Sequence, residues 1–408
     1  MSQKIDVSII SSGANIADAR LHRLTNALLR HGLVVELFAP GNPADAPALT
    51  PEALSATADA QALTTGTHSL TADAPSLHTS SLIIRPCTNP LTRGTGMLPR
   101  YLRSRTFGIR ARGKVLYALS PESFLPTLSW ISFTNIVKSK SAQRVVAVDL
   151  YEDYLRVLKD RGWAKKYFGI LGAIAKSDTK AALWAAQRAA LTTVADTQVP
   201  PFHAKQRLVV RNLPDHSMLT QSGVRDAQPR AIYIGDLRTS RGLRTMLDAA
   251  KLSPDWRFDF VGAIAPADQS YVQSWLVENP ESASRITFHG KLAPRDAWRV
   301  ARGAWVGLSL LEPTPAFIEA VPSKLYEYMA VGLATISSPL PRCVELIGKS
   351  GSGAIAADPE AVSAQLRAWQ SNPTDLDQIR ADAHAWAAAN LDSNAEYDRL
   401  AQAIAHLR

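Results

Sequence analysis

Residues 319–332 read Glu-Ala-Val-Pro-Ser-Lys-Leu-Tyr-Glu-Tyr-Met-Ala-Val-Gly, and this stretch decides the fold class. It follows an apolar, strand-like run from Trp305 to Leu311. A helix is therefore predicted to begin near Pro322 or Ser323, with Ser323 close to the cap. Lys324 then lies in the first turn, where unpaired backbone amides and the positive end of the helix dipole favour an anion.

Two glutamates flank this predicted helix start. Glu327 lies at i, i+3 from Lys324, so one ligand could meet the ammonium with its phosphates and the carboxylate with a hydroxyl pair. Glu319 precedes the helix and can reach whatever is attached beyond the phosphates. The pattern indicates a sugar nucleotide. Lysine and glutamate at this spacing are also common on solvated helices, with Leu325 as an ordinary core contact, and the spacing by itself leaves both interpretations open.

Residues 322–338, Pro-Ser-Lys-Leu-Tyr-Glu-Tyr-Met-Ala-Val-Gly-Leu-Ala-Thr-Ile-Ser-Ser, closely resemble the donor-binding segment of family 4 glycosyltransferases, as does the later Glu345-Leu346-Ile347. In that family two glutamates with seven residues between them flank the helix start, and Glu319 and Glu327 have that spacing. The resemblance implies an α/β protein of the GT-B fold, with two Rossmann-like domains whose parallel sheets face a central cleft. It also implies a retaining, metal-independent transferase without a cofactor, which uses a nucleotide sugar such as a UDP- or GDP-sugar.

The length of 408 residues suits two domains. Residues 1–215 are predicted to form an acceptor-binding Rossmann-like domain and residues 229–389 a donor-binding one, with a polar linker at 216–228. In the GT-B fold a C-terminal helix crosses back onto the first domain, and residues from about 390 to 408 are expected to do so here.

The cysteine content and the length of the apolar runs indicate where in the cell the protein is located. Cys87 and Cys343 are the only cysteines and form no Cys-x-x-Cys pair, which argues against a disulfide framework or a cysteine zinc site. The first residues do not resemble a signal peptide, and no apolar run reaches about 18 residues. We therefore expect a cytoplasmic protein whose membrane contact, if any, is peripheral and at the inner face.

The net charge of +9 is concentrated in one acid-free window, residues 74–121, which carries eight cations: Arg85, Arg93, Arg100, Arg103, Arg105, Arg110, Arg112 and Lys114. Such a patch can attract a lipid-linked acceptor, anionic headgroups or nucleic acid, or it can serve mainly as a solvated surface. Apolar residues interleave with the arginines, so the segment is either an amphipathic one that faces a membrane or the acceptor, or an ordinary helix packed on the sheet. We expect residues 85–114 to contact an anionic membrane, and no nucleic-acid partner.

The first domain begins with a strand–helix–strand unit typical of a parallel sheet, predicted at Asp6–Ile10, Asp18–His31 and Val34–Ala39. Ligands of such sheets lie at the carboxyl ends of the strands, which places Gly13 on the ligand side.

Asp149 ends a later predicted strand, Val145–Asp149, and is a candidate acceptor-orienting or basic residue. A helix-capping role for Asp149 or Asp153 is equally compatible with the sequence. Members of the family often carry a histidine on this side. The corresponding positions here are Leu119 and Val148, so the acceptor-side catalytic group stays open.

The second domain opens at Ala231 with a strand and a turn that contains Gly235. Glycine permits close backbone approach, and the guanidinium groups of Arg238 and Arg241 suit bidentate phosphate contact. In the family this turn faces the donor diphosphate. This chain has Asp236 where many members have arginine, so Arg238 or Arg241 would have to supply the charge.

The resemblance assigns the remaining roles. The loop after the predicted strand at Ile286–Leu292 would line the nucleobase pocket, usually through backbone groups such as those of His289, Gly290 and Lys291, although a lone histidine is more often structural. Glu319 would face the donor sugar, and it forms the predicted catalytic pair with Asp149. The predicted donor site comprises Gly13, Gly235, Arg238, Arg241, His289, Gly290, Lys291, Ser323, Lys324, Leu325 and Glu327.

The acceptor is expected to be a glycan, a lipid-linked molecule or another cell-envelope or metabolite acceptor. Two alternatives stay open. One is a GT-B nucleotide-sugar epimerase, which needs no acceptor. The other is a degenerate, non-catalytic binding subunit, suggested by Asp236 and by the missing histidine.

Overall fold

The structure is a computed structural model of the chain. It describes residues 4–13, 16, 18–41, 78–79, 81–86, 97–159, 169–214, 216 and 219–408. Cys87 and residues 87–96 of the basic stretch lie outside the described residues, as do three positions around the predicted linker, 215, 217 and 218.

The chain divides into two compact units. The first unit contains Met1–Asn212 and Asn394–Arg408, and the second contains Leu213–Ser393. The division thus falls just before the predicted boundary at residue 215, and the segment predicted as a linker is part of the second unit.

The first unit is built on an eight-stranded sheet with the order β3-β4-β2-β1-β5-β6-β7-β8, in which only the β3–β4 pairing is antiparallel. Its strands are β1 (Val7–Ile10), β2 (Val35–Ala39), β3 (His78–Thr79), β4 (Leu82–Pro86), β5 (Val115–Ala118), β6 (Val145–Leu150), β7 (Leu191–Val194) and β8 (Arg207–Val209). Its helices are α1 (Ala19–Arg30), α2 (Met97–Arg110), α3 (Pro121–Asn135), α4 (Tyr154–Lys159) and α5 (Ile170–Arg188).

Both faces of this sheet are covered, as the continuous apolar strands predict. Side chains alternate along β1, so Val7 and Ile9 join a core with α1, while Ile10 joins a core with α2, α3 and α5. Asp18 caps α1 by accepting from the amides of Arg20 and Leu21 at 2.9 and 3.1 Å. The predicted parallel sheet of the first domain is confirmed.

The second unit contains a six-stranded, wholly parallel sheet with the order β11-β10-β9-β12-β13-β14. Its strands are β9 (Arg230–Ile234), β10 (Arg257–Val261), β11 (Ile286–Gly290), β12 (Val306–Ser309), β13 (Ala334–Ser337) and β14 (Gly353–Ile355). Its helices are α6 (Leu243–Lys251), α7 (Gln269–Glu278), α8 (Pro280–Ala283), α9 (Pro294–Val300), α10 (Ser323–Ala330), α11 (Pro341–Ser350), α12 (Pro359–Ser371) and α13 (Pro373–Asn390).

The predicted linker is fixed to the second unit by polar contacts. The amide of Ser222 donates to Val331 O at 2.9 Å, and the buried Arg380 guanidinium donates to Ser222 Oγ at 2.9 Å. Arg225 pairs with Asp377 at 2.5 Å. The segment that was predicted from its polarity to be a linker is therefore held against the second unit. Its Ser222 bonds to Val331, directly after α10, and to Arg380 of α13.

The last helix, α14 (Ser393–Ala405), packs on the first unit. Tyr397, Leu400, Ala401 and Ile404 lie in the same core as α1. Glu396 is buried and pairs with Arg211 at 2.7 Å. Among the described residues, no helix is long and apolar enough to cross a bilayer.

Leu400→Ala should destabilise the first unit by about 2–5 kcal/mol, because it leaves a cavity between α14 and the sheet. Thermal unfolding followed by circular dichroism checks this prediction. Gln402→Ala, an exposed position on the same helix, is the matched control and should leave the melting temperature unchanged. Equal melting curves for the two variants would contradict the packing role of α14.

Candidate functional site

Helix α10 is held on the second sheet by a single phenol. Tyr328 is fully buried; its hydroxyl accepts from the Ile234 amide and donates to the Leu308 carbonyl, both at 3.2 Å. Its ring lies against Gly307, where an added Cβ would come within 2.5 Å of the ring carbons. The contacts tie the helix to β9 and β12, so the side chains of its first turn have a fixed direction.

Lys324 lies in the first turn of this helix, as predicted, and Ser323 is its first residue. Its ammonium lies 5.7 Å from the centre of the Tyr233 ring and against Gly235, where an added Cβ would meet the Lys324 Nζ at 2.6 Å. Burial lowers the pKa of Lys324; the Glu327 carboxylate opposes this shift and the Arg241 guanidinium adds to it. The ammonium makes no hydrogen bond or ion pair with the residues that the structure describes.

Glycines line the carboxyl ends of three neighbouring strands. Gly235 follows β9, Gly262 follows β10 and Gly290 ends β11. The backbones are in close contact there: the Gly262 amide donates to Gly290 O at 2.8 Å, and a Cβ on Gly262 would lie 1.9 Å from Gly235 O. All three have positive φ, which favours glycine. Close packing against Lys324 and the Gly235 carbonyl therefore requires glycine at 235 and 262, whereas an added Cβ on Gly290 would meet no described atom within 4 Å, which leaves the backbone there open to a ligand.

Two arginines from the turn after β9 lie near this ammonium. Arg238 pairs with Asp236 at 2.7 Å, so its charge is partly neutralised. Arg241 lies beside Tyr233: burial raises the pKa of this phenol, and the Arg241 guanidinium offsets part of the rise. The Nε atoms of both arginines are buried, with no hydrogen-bond partner among the described residues. Buried donors without acceptors suit an anionic ligand.

The two glutamates lie on different elements. Glu327 lies one turn after Lys324 on α10, close enough to influence its pKa. Glu319 lies in the loop before the helix, where its carbonyl accepts from Arg342 at 3.3 Å. Neither carboxylate makes a hydrogen bond or ion pair with a residue in the described part of the chain. Both are half-buried and therefore accessible to a ligand.

The residues predicted to line the nucleobase pocket have different surroundings in the structure. His289 Nε2 lies 2.8 Å from Asp259 Oδ1, and Asp259 also pairs with Arg230 at 2.6 Å. This bond gives the His289 side chain a structural role. Only the backbone groups of His289 are then left to contact a ligand. Lys291 is exposed, and Leu325 is wholly buried as a core contact.

On the first unit, Gly13 lies in a loop fixed by polar contacts. Its amide donates to Ser120 Oγ at 3.2 Å. The buried Arg103 donates twice to the Ser12 carbonyl, at 3.0 and 2.6 Å, and Arg100 pairs with Glu122 at 2.8 Å. An added Cβ on Gly13 would lie 2.5 Å from the Arg100 guanidinium. Part of the basic window thus has a structural function that its acid-free composition does not reveal.

Asp149, the predicted acceptor-side residue, is engaged in a buried polar network. It pairs with Arg20 at 2.9 Å and accepts from Thr193 at 2.6 Å. Despite burial, which opposes the shift, the Asp149 carboxylate raises the pKa of Arg20. This geometry favours a structural role over that of a base. The predicted helix cap is Asp153, whose carboxylate accepts from the Leu155 and Arg156 amides at 3.1 and 3.2 Å.

Three contributors were not identified from the sequence. Tyr233 lies in an apolar strand, and the sequence pattern predicts a core residue there. Its hydroxyl nevertheless donates to Asp236 O at 3.0 Å and helps to shape the turn beside Lys324. Gly307 within β12 could have signalled close packing, because glycine inside a strand often does. Arg20 carried no signal, since its partner lies 129 residues away in the sequence.

Comparisons with known proteins agree with this geometry. Residues 217–386 match the family described as Glycosyl transferases group 1. The match covers the second unit, including the turn after β9 and helix α10, and it confirms the expectation of a glycosyltransferase. No curated protein matches the chain significantly.

Solved structures show the fold of the whole chain. Sucrose-phosphate synthase from Thermosynechococcus elongatus has a TM-score of 0.70 at 13% identity, over 99% of each chain. HepE from Anabaena, in complex with UDP and glucose, has a TM-score of 0.64 at 13% identity, over 98% of this chain and 100% of that one. A glycosyltransferase from Rickettsia africae ESF-5 scores 0.60 at 11% identity, over 99% of each chain. These similarities confirm the predicted GT-B fold.

Asp149→Ala should destabilise the first unit by about 3–5 kcal/mol, because it leaves the Arg20 guanidinium buried without its partner. Chemical unfolding of Asp149→Ala, Arg20→Ala and the double variant measures the coupling. The double variant should lose clearly less free energy of unfolding than the sum of the losses of the two single variants. Additive losses would contradict the paired, structural role of Asp149.

Proposed function

We propose that this chain transfers a hexose from a nucleoside-diphosphate donor to a glycan, lipid-linked or other cell-envelope or metabolite acceptor. The observation that supports this proposal best is the arrangement at the start of α10. There, the Lys324 ammonium and two buried arginine Nε donors find no acceptor among the described residues, and they lie beside a glycine-lined sheet edge. A diphosphate would supply the missing acceptors and compensate the charge.

The chemistry follows from the leaving group. When the bond between the sugar and the diphosphate breaks, negative charge develops on the departing phosphate. Lys324, Arg241 and the amides at the start of α10 can offset this charge, and preorganised groups of this kind contribute about 3 kcal/mol each. We propose that these cations perform the charge stabilisation for which other transferases use a divalent metal.

The two glutamates receive separate roles in this proposal. Glu327 lies one turn beyond Lys324 on the same helix, and it would accept from the ribose hydroxyls. Glu319 precedes the helix and would face the donor sugar and the positive charge that develops at its anomeric carbon. A retaining outcome, as in family 4 glycosyltransferases, rests on the resemblance of residues 322–338. Ser323 contributes its backbone amide at the helix start.

The comparisons support the nature of the donor. HepE from Anabaena has been solved in complex with UDP and with UDP-glucose. A group 1 glycosyl transferase match over residues 217–386 places the family likeness on the unit that carries Lys324. We therefore infer a UDP- or GDP-sugar as co-substrate, with Gly235, Gly290 and the Lys291 backbone on its nucleotide side.

A second candidate function is that of a binding subunit without turnover. Asp236 supports it, because its carboxylate engages Arg238 at 2.7 Å and removes one cation from the diphosphate. Calorimetry with a panel of nucleoside diphosphates, followed by assays of donor hydrolysis, separates the two functions. Binding together with hydrolysis supports the transferase, whereas tight binding without any turnover supports the subunit.

Lys324→Ala and Glu327→Ala should each reduce transfer or donor hydrolysis by at least about a hundred-fold. Lys324→Ala removes charge from the leaving group, and Glu327→Ala removes the ribose contact. Rates are measured on purified variants of unchanged melting temperature. The matched controls are Lys349→Ala and Glu278→Ala, which alter exposed residues of the same unit and should leave the rate unchanged. Near-normal turnover of either site variant would refute the assignment.

Affinity for a nucleoside diphosphate should fall as the pH rises toward the alkaline range. Burial lowers the pKa of Lys324, so the ammonium loses its proton earlier than an ordinary lysine does. A bound diphosphate stabilises the protonated form, and binding above that pKa requires proton uptake, with a slope of up to about ten-fold per pH unit. Calorimetric titrations across this range measure the effect.

Lys324→Arg is the matched control for this pH dependence, because a guanidinium keeps its proton throughout the range. Titration of the ligand itself affects both proteins equally. The Lys324→Arg variant should therefore lack the part of the pH dependence of affinity that arises from deprotonation of Lys324. Identical pH profiles for the two proteins would show that Lys324 does not contact the phosphates.

A further inference from the structure

A group of large apolar side chains on the first unit is exposed to solvent. It comprises Tyr101, Leu102 and Ile109 of α2, Leu125 and Phe133 of α3, and Ile136 and Val137 just after α3. The last three form a continuous tip, with exposed fractions of 67%, 78% and 87%. We call these seven residues the apolar face. Contiguous exposed apolar groups of this kind mark an interaction surface.

The two helices form a groove within this face. Tyr101, Arg105 and Ile109 recur every four residues on α2, and Leu125, Ser129 and Phe133 do so on α3, so each set lies along one side of its helix. Together with Trp130 they line a cavity of about 380 Å³. The groove is mostly apolar, and Arg105 supplies the cation at its edge.

Positive charge surrounds the apolar face. Residues 97–147 contain nine lysines and arginines and one acid, Glu122, which pairs with Arg100. Arg105 and Arg110 are exposed on α2, and Lys138 and Lys140 immediately follow the tip. None of these four makes an ion pair with a residue in the described parts of the chain. The cations are therefore available to an anionic partner.

We propose that the apolar face and its cations dock on the surface of an anionic lipid bilayer. Headgroups would neutralise the arginines and lysines, while Phe133, Ile136 and Val137 enter the apolar boundary below them. A second copy of this chain suits the face poorly, because a symmetric contact would bring the same cations of both copies together. The surface extends the predicted basic stretch: it adds the tip after α3, whereas Arg103 of that stretch is buried in the protein.

This inference is independent of sugar transfer, because bilayer binding requires neither donor nor acceptor. The full chain is mixed, without nucleotide, with sedimentable vesicles of phosphatidylcholine alone or of phosphatidylcholine and phosphatidylglycerol in equal parts. Binding to the anionic vesicles should be at least about ten-fold tighter at low salt, and high salt should weaken it. Equal binding to both vesicles, or no binding to either, would overturn the proposal.

The apolar contribution is tested with Ile136→Ser/Val137→Ser, which should weaken binding to anionic vesicles by about ten-fold. The matched control is Val224→Ser/Val277→Ser, which removes two equally exposed valines, 92% and 80% accessible, from the second unit. The control should bind like the unaltered chain. Equal losses in both variants would overturn the assignment of the face.

The charge contribution is tested with Arg105→Gln/Arg110→Gln, against Lys205→Gln/Arg257→Gln as a control of equal net charge on exposed positions elsewhere. Only the first pair should reduce vesicle binding and its salt dependence. Sedimentation velocity tests the rival occupant. If the unaltered chain does not bind vesicles but forms a dimer, and Ile136→Ser/Val137→Ser dissociates this dimer, the face binds a second copy instead.

Discussion

The hydroxyl of Tyr328 joins a helix to two neighbouring strands, and the candidate site depends on this contact. It accepts from Ile234 and donates to Leu308, so α10 cannot rotate or slide without breaking a buried hydrogen bond. Gly307 makes room for the ring, and Trp298 packs edge-on against it at 5.9 Å. Because the helix is fixed in this way, Lys324 extends over Gly235 rather than into bulk solvent, and its position is set before any ligand binds.

A site of this kind opposes stability. Burial lowers the pKa of Lys324, and the nearby Arg241 adds repulsion, while the buried Nε atoms of two arginines find no acceptor among the residues that the structure describes. Each of these features costs free energy in the empty protein, and a bound diphosphate would remove all of them together. The same logic explains why the charges of the first unit differ in function: Arg20 and Arg103 are satisfied by Asp149 and the Ser12 carbonyl, and are structural.

Local sequence was sufficient for most of the fold. The strand–helix–strand unit at the start of the first domain predicted a parallel sheet, and the turn at Gly235 and the start of the helix near Ser323 were predicted from glycine and proline positions. The candidate donor residues on the turn and the helix were proposed from their types, their spacing and the resemblance of residues 322–338. Asp149 was predicted as a candidate acceptor-orienting or basic residue, and its contact with Arg20 could not be predicted, since this partner is distant in sequence and no local pattern announces a buried ion pair.

The sequence by itself predicted the first strand–helix–strand unit and the cationic start of α10, because periodicity, caps and residue chemistry act over a few neighbouring positions, and the resemblance of residues 322–338 implied the fold class. Only the tertiary structure decided which charges are used internally and which are exposed. Arg103 is buried and Arg105 is exposed although they stand two positions apart on one helix, and within the described part of the chain Arg238 has an ion-pair partner whereas Lys324 has none. The reason is physical: a side chain's charge is neutralised by whatever the fold brings to it, and those partners come from distant parts of the chain.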